Sequence, residues 1–334
     1  MFFKKLFLLT LLPAVMVCAS CEKKDIVNPI TPPFGQTDPE PDPDPSTGGA
    51  DPMIICTFNI RYANTTDSYP GQAEGSASWN NRKDAVKKFF DTVKPDLVGL
   101  QEIRQEQSQW FFQTLGSDYG YYDVSRDNAS GGSVATVKGE GVGLLYRKDR
   151  FELVSKDFFW LDTTPRERPA QNTDGTFGDW KSACRRITVY AALKDKKHGN
   201  AVMYFFPTHY DHQSEVARKN SAEFMVNQIK TLCKVTDIKE ADMAIFHVGD
   251  LNTGSSDGQL NSLNAAMNYA RTAAGGSDQY TGTFNGFGDS NKIIDHIYYG
   301  GKSVTPVKYW VDRTNYGVPF LSDHYPVLFK WEYK

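Results

Sequence analysis

Several polar and ionisable side chains of this sequence stand at the ends of short apolar runs. They carry carboxylate, imidazole and amide groups, which can bind a divalent cation, move a proton or hold an anionic group. In layered α/β folds such strand ends form sites, because the sheet fixes the geometry and the following loops stay open to solvent. Core packing does not account for six such residues, which are Asn59, Glu102, His209, Asp250, Asn252 and Asp295.

Carboxylates gathered at strand ends could support the attack of water on a phosphoester bond. That reaction needs neutralised charge on the phosphate, an activated nucleophile and a stabilised leaving oxygen. Mg²⁺ supplies the first of these and prefers a few protein oxygens, with water and substrate completing its octahedron. Glu102 is the clearest candidate ligand, although alone it would be interpreted as an exposed charge at the start of a loop. Asn59 is a candidate ligand or a support for one, and Asp323 is a further candidate.

The residues Gly249-Asp250-Leu251-Asn252 directly follow the apolar run 245–248. Glycine permits a tight turn, and side chains at i and i+2 of an extended backbone point to the same side. Asp250 could therefore orient or deprotonate the attacking water, while Asn252 donates a hydrogen bond to a phosphate oxygen. The alternative is a turn that caps the helix that follows.

Asp323 and His324, together with Asp295, offer a carboxylate for an imidazole. A carboxylate hydrogen-bonded to one ring nitrogen fixes the tautomer and favours the charged imidazolium. His209 would donate a hydrogen bond to the phosphate and stabilise developing charge. Taken alone, however, a histidine in a strand is more often a structural group.

The order of these motifs resembles that of the endonuclease/exonuclease/phosphatase superfamily, which includes deoxyribonuclease I. The resemblance extends over about residues 53–333 and implies metal-dependent phosphoester hydrolysis. It is carried by six motifs, which are Thr57-Phe58-Asn59-Ile60-Arg61-Tyr62, Gly99-Leu100-Gln101-Glu102, Thr208-His209, Gly249-Asp250-Leu251-Asn252, Ile294-Asp295-His296 and Ser322-Asp323-His324-Tyr325-Pro326-Val327.

The resemblance implies a role for each group of matched residues. The ligands of Mg²⁺, with Mn²⁺ as the alternative metal, would be Glu102, Asn59 and Asp323. The catalytic residues would be His209, Asp250, Asn252, Asp295 and His324, with His209 and Asn252 also binding substrate. Candidate phosphate contacts outside these sets, each with an ion pair inside the domain as its alternative, are Arg61, Arg82 and Arg186.

Two other histidines are predicted to be structural. His247 lies within the apolar run before Gly249, and His296 follows Asp295 and must face the opposite side of its strand. Asp211 and His212 extend the His209 motif. They either contact substrate or are exposed loop residues.

The elements that position these residues alternate in type along the chain, which indicates an α/β fold. Helices are predicted over 81–93 and 214–232, where apolar residues recur at helical spacing. Strands are predicted over 53–60, 96–100, 141–147, 187–193, 201–208, 243–248, 292–299 and 327–333. Together with the resemblance, this order predicts a four-layer sandwich, in which two mixed β-sheets pack face to face and are flanked by helices.

The first 51 residues indicate export and anchoring. Lys4 and Lys5 precede an apolar run over 6–17 that is too short to span a bilayer. We predict a signal peptide over 1–21 with lipidation of Cys21, although position 18 is Cys where Leu is more usual. Simple cleavage is the alternative. Residues 22–51, rich in Pro and Asp, would form a disordered tether, which leaves 52–334 as one endonuclease/exonuclease/phosphatase domain.

Charge narrows the class of substrate. Residues 52–334 carry equal numbers of basic and acidic side chains, whereas proteins that bind long nucleic acids usually show a basic excess. We therefore predict a metal-dependent phosphodiesterase or phosphatase for a small phosphorylated metabolite or a lipid headgroup. An extracellular nuclease for DNA or RNA is the first alternative, and a non-catalytic binding lipoprotein is the second.

The same features predict where the protein acts and with what it associates. We expect a monomer that is exported and held at the bacterial cell envelope, on the outer membrane or facing the periplasm. Its contact with the membrane would be made through the lipid anchor alone.

Overall fold

The computed structural model describes residues 51–128, 131–137, 139–274, 278 and 281–334. The predicted signal peptide, the lipidation of Cys21 and the tether up to residue 50 lie outside the described residues and stay predictions. Within the described part of the chain, no helix is long and apolar enough to cross a membrane.

The chain forms two mixed six-stranded β-sheets. The first contains β1 (Met53–Asn59), β2 (Leu97–Ile103), β3 (Tyr119–Ser125), β4 (Gly141–Arg147), β11 (Val304–Val311) and β12 (Val327–Tyr333). The second contains β5 (Phe151–Trp160), β6 (Ile187–Asp195), β7 (Ala201–His209), β8 (Ala244–Asp250), β9 (Asn268–Tyr269) and β10 (Asp295–Gly300). The orders are β11-β12-β1-β2-β4-β3 and β5-β6-β7-β8-β10-β9. The pairs β1–β2 and β7–β8 are parallel, and the other pairs are antiparallel.

The two sheets pack face to face through alternate residues of their strands. Ile55 of β1 and Leu97 of β2 join Phe205 of β7 and Phe246 of β8 in one buried cluster. The residues between them face outward and are buried in their turn by helices. Because both faces of each sheet are covered, the central strands are nearly continuous apolar runs, which is why the sequence predicted them well.

Gly99 of β2 lies in close contact with the opposite sheet, three residues before Glu102. A Cβ atom at this position would be 2.7 Å from Cγ2 of Val248 and 2.9 Å from Cβ of Pro207. Both neighbours belong to β8 and β7 of the opposite sheet, so neither can move away without shifting a strand. The glycine therefore sets the separation of the sheets beside Glu102.

We expect Gly99→Ala to lower the free energy of unfolding by about 1–3 kcal/mol, because overpacking a well-packed core forces strands apart. Urea denaturation followed by circular dichroism measures this change. Gly258→Ala is the matched control, because its Cβ would meet nothing closer than Nδ2 of Asn261 at 3.8 Å. Equal stability of Gly99→Ala and the wild-type protein would contradict the tight sheet contact.

Helices cover the outer face of each sheet. Helices α1 (Trp79–Val93) and α2 (Gln105–Leu115) pack on the first sheet, with Phe89 and Phe111 in the same cluster as Phe58. Helices α3 (Glu215–Cys233) and α4 (Asn261–Ala266) pack on the second sheet, and α5 (Ala270–Ala273) is a short helix beside β10. The layers are helix, sheet, sheet and helix, so the predicted four-layer fold is confirmed.

The strands that were not predicted lie at the edges of the sheets, and they are β3, β5, β9 and β11. Helices α2, α4 and α5 were not predicted either. β5 does not alternate regularly, because its register against β6 shifts between Leu153 and Ser155, and β3 contains Gly120 within a Tyr-rich run. Strand β10 also begins at Asp295 rather than at residue 292, because Lys292 instead forms an isolated bridge with Phe284.

Candidate active site

The polar residues predicted at strand ends converge at one edge of the interface between the sheets. Asn59 ends β1 of the first sheet, and His209 and Asp250 end the parallel strands β7 and β8 of the second. Asp295 begins the antiparallel strand β10, whose first residue therefore pairs with Asp250. The structure thus brings together residues that lie up to 265 positions apart in the chain, from Asn59 to His324.

Asn59 connects the two sheets. Its Nδ2 donates hydrogen bonds to Oε1 of Glu102 and to Oδ2 of Asp250, each 3.1 Å away. Its Oδ1 accepts a hydrogen bond of 3.0 Å from the backbone N–H of Arg61. In this orientation Asn59 positions two carboxylates instead of presenting an oxygen to a metal. The geometry fits the supporting role, one of the two that the sequence left open.

Glu102 is turned into the cleft by an irregular backbone. Its φ is +62°, in the left-handed region that residues with side chains rarely adopt. The register of β2 against β4 shifts between Leu100 and Ile103, so the strand bulges at this residue. The carboxylate accepts hydrogen bonds from Asn59 and from the backbone N–H of Tyr62, at 3.3 Å. The side chain remains partly exposed, so a ligand can reach it.

The turn after β8 orients Asp250 and Asn252 together. A Cβ atom on Gly249 would lie 2.2 Å from the carbonyl oxygen of Thr208, so only glycine fits there. Asn252 has a φ of +53°, and its backbone N–H donates to Oδ1 of Asp250 at 2.9 Å. Its Nδ2 donates to the carbonyl oxygen of Tyr210 at 3.1 Å. Both residues are therefore held in one turn after β8, through a left-handed backbone at Asn252 and not through the extended backbone that the i and i+2 argument assumed.

His324 is paired with Asp295 and faces Asp250. Its Nδ1 lies 2.8 Å from Oδ2 of Asp295, and its Nε2 lies 3.7 Å from Oδ2 of Asp250. Burial opposes the charged imidazolium, but the Asp295 carboxylate and then Asp250 outweigh it and raise the pKa of His324 to about 10. Oδ1 of the fully buried Asp295 has no hydrogen-bond partner among the described residues. The charged His324 is therefore the main group that compensates the negative charge of Asp295.

Asp250 lies between two histidines of different character. Burial, and then the nearby Asp295 carboxylate, raise the pKa of Asp250 to about 7. Nε2 of His209 lies 3.4 Å from its Oδ2. Burial and then the cations Arg186 and Arg126 hold the pKa of His209 well below its usual value. His209 is therefore neutral near pH 7 and can donate one ring N–H, whereas His324 is charged.

Asp323 lies at the rim of this group. Its Oδ1 is 3.1 Å from the hydroxyl of Ser322, and its Oδ2 is 3.6 Å from Nη1 of Arg61. Ser322 Oγ also lies 2.8 Å from the carbonyl oxygen of Asn59, which ties the motif before β12 to the end of β1. Ser322 belongs to a quoted motif, but no role was predicted for it. Its role depends on the contact with Asn59, 263 residues earlier in the chain, which the sequence does not reveal.

The candidate phosphate contacts among the arginines differ in their surroundings. Arg61 donates to both oxygens of Asp67 and approaches Asp323, so the ion-pair alternative describes it. Arg186 is buried, with Nη2 2.9 Å from Nδ1 of His212 and Nε 3.6 Å from Oδ2 of Asp211. It lies close enough to His209 to lower the pKa of that histidine.

Arg82 is neither a phosphate contact nor part of an ion pair. The side chain is fully buried, and its guanidinium donates to the carbonyl oxygens of Ala77, Ile60, Leu321 and Arg61 at 2.5–3.2 Å. It therefore ties helix α1 to the loops that carry the site. Both alternatives given for Arg82 are wrong, because the sequence could not show that four carbonyl groups converge on it.

His247 and His296 lie on the outer face of the second sheet, as predicted. His247 contacts the hydroxyl of Tyr210 at 3.1 Å. His296 contacts the hydroxyl of Tyr269 at 2.9 Å and the carbonyl oxygen of Thr253 at 2.8 Å. Burial lowers the pKa of each histidine to about 4. Both are neutral structural groups.

Two sets of residues could bind a metal ion. Ligand atoms of Asp250, Asp295 and His324 lie within 4.8 Å of one another. However, a short hydrogen bond already joins His324 to Asp295, and a metal there would have to break it. Glu102 is the better centre, because its carboxylate is partly exposed and Mg²⁺ prefers oxygen ligands. Asp323 adds a second carboxylate near Arg61, and oxygen donors of this kind fit a divalent ion.

Comparison with known proteins agrees with this architecture. The sequence model described as the Endonuclease/Exonuclease/phosphatase family matches residues 56–324. A solved endonuclease/exonuclease/phosphatase from Bacteroides vulgatus is 29% identical, with a TM-score of 0.69 over 85% of this chain and 99% of that chain. The mannosyl-6-phosphatase of Bacteroides thetaiotaomicron is 24% identical, with a TM-score of 0.70 over 84% of this chain and 100% of that one, a likeness of fold alone.

A relative from a eukaryote is also similar in part. The CCR4-Not complex 3'-5'-exoribonuclease subunit Ccr4 of Emericella nidulans is 26% identical over 174 residues. The match covers 48% of this chain and 26% of that protein, so the chain spans about a quarter of the relative's length. The similar proteins thus include a phosphatase and a nuclease.

Proposed function

We propose a function from the premise that this chain belongs to the Endonuclease/Exonuclease/phosphatase family, a family of phosphoester hydrolases. The proposed reaction is Mg²⁺-dependent hydrolysis of a phosphoester bond. The proposed substrate is a small phosphorylated metabolite or a lipid headgroup at the cell envelope.

One observation carries the proposal. A buried carboxylate with a raised pKa, Asp250, lies between a charged histidine, His324, and a neutral one, His209. A group with a pKa near 7 can accept a proton from water at neutral pH, and two flanking donors can hold an anionic ester. A non-catalytic binding protein, the second alternative, has no need of a buried carboxylate poised in this way.

Glu102 would hold the metal ion, with Asp323 as a second candidate ligand and Asn59 as the residue that orients Glu102. When bound, the ion would neutralise charge on the phosphate and favour departure of the leaving oxygen. Mn²⁺ would satisfy the same oxygen ligands. The carboxylate oxygens of Glu102 and Asp323 support this assignment, because Mg²⁺ prefers oxygen ligands.

The protein side chains would activate the water and bind the phosphate. Asp250 would orient the attacking water and accept its proton. His209 would donate its ring N–H to a phosphate oxygen, and Asn252 would also help to position the phosphate. His324, held by Asp295, would place a positive charge beside the phosphate. Arg186 supports this set by keeping His209 neutral, and Arg61 by compensating Asp323.

An extracellular nuclease is the second candidate function, because the family includes nucleases. The formally neutral domain argues against it, since phosphate contacts along a nucleic acid usually require a basic surface. Export and lipidation at Cys21 belong to the same proposal and would place the enzyme at a bacterial membrane. Mass spectrometry of the membrane fraction, with Cys21→Ser as the comparison, tests that part.

Hydrolysis of a small panel tests the reaction. The panel contains p-nitrophenyl phosphate, bis(p-nitrophenyl) phosphate, sugar and inositol phosphates, sphingomyelin, DNA and RNA, each with Mg²⁺ and with EDTA. We expect turnover of one class that EDTA abolishes and that His209→Ala lowers at least about 100-fold. His198→Ala is the matched control, because His198 is exposed and stacks on Tyr333. Full activity in EDTA would contradict metal dependence, and preferential cleavage of DNA or RNA would favour the nuclease.

A further inference from the structure

A cavity of about 390 Å³ opens beside Asn252, between the first turn of α3 and the loop after β8. We call it the Asn252 pocket; its polar lining includes Glu215, Arg218, Asn252, Asp257, Gln259 and Lys292. Another cavity, of about 290 Å³, is lined by Phe112, Tyr122 and Lys156 and shares no residue with the candidate active site. Asn252 lines this pocket and belongs to the candidate active site, and the pocket also contacts Ile294, the residue before Asp295, so the pocket adjoins the site.

Three side chains of the Asn252 pocket have unused hydrogen-bonding capacity. The exposed Glu215 and Lys292 make no side-chain hydrogen bond or ion pair with another described residue. Gln259 uses its Oε1 to accept a hydrogen bond of 3.2 Å from Nε of Arg218. This fixes the amide so that its two N–H donors are available. The pocket therefore offers both acceptors and donors to a ligand.

The charges of the Asn252 pocket balance. Arg218 and Lys292 are cations, and Glu215 and Asp257 are anions. Arg218 is buried in the wall, where its Nη1 donates to the carbonyl oxygen of Asp211 at 3.0 Å. A second phosphate group would meet as many carboxylates as cations, so the pocket does not favour a polyanion.

No aromatic side chain is among the described residues that line the Asn252 pocket. Bases of single-stranded nucleic acids bind by stacking on aromatic rings, and quaternary ammonium groups such as choline bind in aromatic cages. Neither group would find its partner here. Hydroxyl groups, by contrast, both donate and accept hydrogen bonds, and adjacent hydroxyls match a wall of mixed carboxylate, ammonium and amide groups.

We propose that the Asn252 pocket binds the polyhydroxylated part of the substrate, a sugar or cyclitol ring whose phosphate lies at the catalytic residues. Glu215 accepts hydrogen bonds from ring hydroxyls, and Lys292 and Gln259 donate to them. The inference rests on the proposed phosphoester hydrolysis and selects among its substrates. It favours phosphorylated polyols over choline headgroups and nucleotides.

The test compares Glu215→Gln and Lys292→Gln with the wild-type protein in Mg²⁺. The substrates are a hexose 6-phosphate, an inositol monophosphate, phosphocholine, a 5′-nucleotide and p-nitrophenyl phosphate, which has no hydroxyl groups on its leaving group. We expect each variant to lower the ratio of kcat/KM for the polyol phosphates to that for p-nitrophenyl phosphate by roughly 5-fold, mainly through KM, since a charge-assisted hydrogen bond is replaced by a weaker neutral one. Glu223→Gln, exposed on the same helix and outside the pocket, keeps the wild-type ratio.

A binding measurement separates this inference from the proposed reaction. Calorimetric titration of the same proteins with the hexose 6-phosphate in EDTA reports the pocket without turnover. Weaker binding by both variants than by Glu223→Gln supports the pocket even if no ester of the panel is cleaved, a result that would reject only the hydrolytic function. Equal ratios and equal affinities in all proteins, or preference for phosphocholine or the nucleotide, would overturn the polyol assignment.

Discussion

We expect Asp250→Asn to lower kcat by about 1,000-fold. The rate is measured with Mg²⁺ on the ester of the panel that the wild-type protein cleaves. The carboxylate lies 3.4 Å from Nε2 of His209 and 3.7 Å from Nε2 of His324. An amide of the same shape can keep the hydrogen bond from the backbone of Asn252, but its NH₂ group cannot accept the hydrogen bond that Asn59 donates to Oδ2. The amide also cannot accept a proton from water, so the chemical step is lost.

The stability of Asp250→Asn separates a catalytic effect from misfolding. Because burial and Asp295 raise the pKa of Asp250 to about 7, the unfolded chain releases this proton at lower pH than the folded protein. The stability contributed by the protonated carboxyl is therefore lost as pH rises from about 4 through about 7. The variant carries no charge to bury but loses the hydrogen bond from Asn59, so in EDTA at pH 8 its Tm should stay close to that of the wild-type protein. Asp237→Asn, an exposed carboxyl, is the matched control. A kcat within tenfold of wild type would remove Asp250 from the proposed mechanism.

Glu102→Gln is expected to weaken Mg²⁺ binding at least about tenfold and to lower kcat at subsaturating Mg²⁺ by a larger factor, because a neutral amide is a poor ligand for a hard cation. Calorimetric titration with MgCl₂ measures the affinity without any substrate. The substitution keeps the shape of the side chain in its left-handed backbone conformation. An effect confined to metal affinity would therefore identify Glu102 as a ligand.

The control for this prediction is Glu106→Gln, an exposed carboxylate in the first turn of α2 only four residues away. It should bind Mg²⁺ as the wild-type protein does. If Glu102→Gln also binds normally, the ion does not lie at Glu102. Loss of binding in Asp295→Asn would then place it at the cluster of Asp250, Asp295 and His324, whose ligand atoms lie within 4.8 Å of one another.

The central strands could be predicted from sequence, and the edges of the sheets could not. β1, β4, β7, β8 and β12 were predicted to within two residues at each end because helices and the opposite sheet bury both of their faces. In β5 the register against β6 shifts between Leu153 and Ser155 and the apolar Val154 is exposed, so the alternation that would predict a strand is broken. The buried face of an edge strand is set by tertiary packing, which local propensity does not report.

The sequence by itself determined the position of those cleft residues whose orientation follows from local backbone geometry. The alternation of a strand places Asp295 and His296 on opposite faces, and the structure puts the first in the cleft and the second against Tyr269. The positions of Asp295 and His296 depend on backbone periodicity, which short stretches of sequence specify. Asn252 instead lies in a left-handed turn, where its backbone N–H donates to Oδ1 of Asp250.

Only the tertiary structure decided the partners that those residues have across the chain. Asn59 donates to carboxylates from both sheets, Arg82 gathers four carbonyl groups from three segments, and the Asn252 pocket forms between α3 and the loop after β8. The raised pKa of Asp250 also arises from burial and from Asp295, 45 residues further along the chain. Such effects depend on distances and burial that arise when the two sheets pack together, and no spacing along the sequence encodes them.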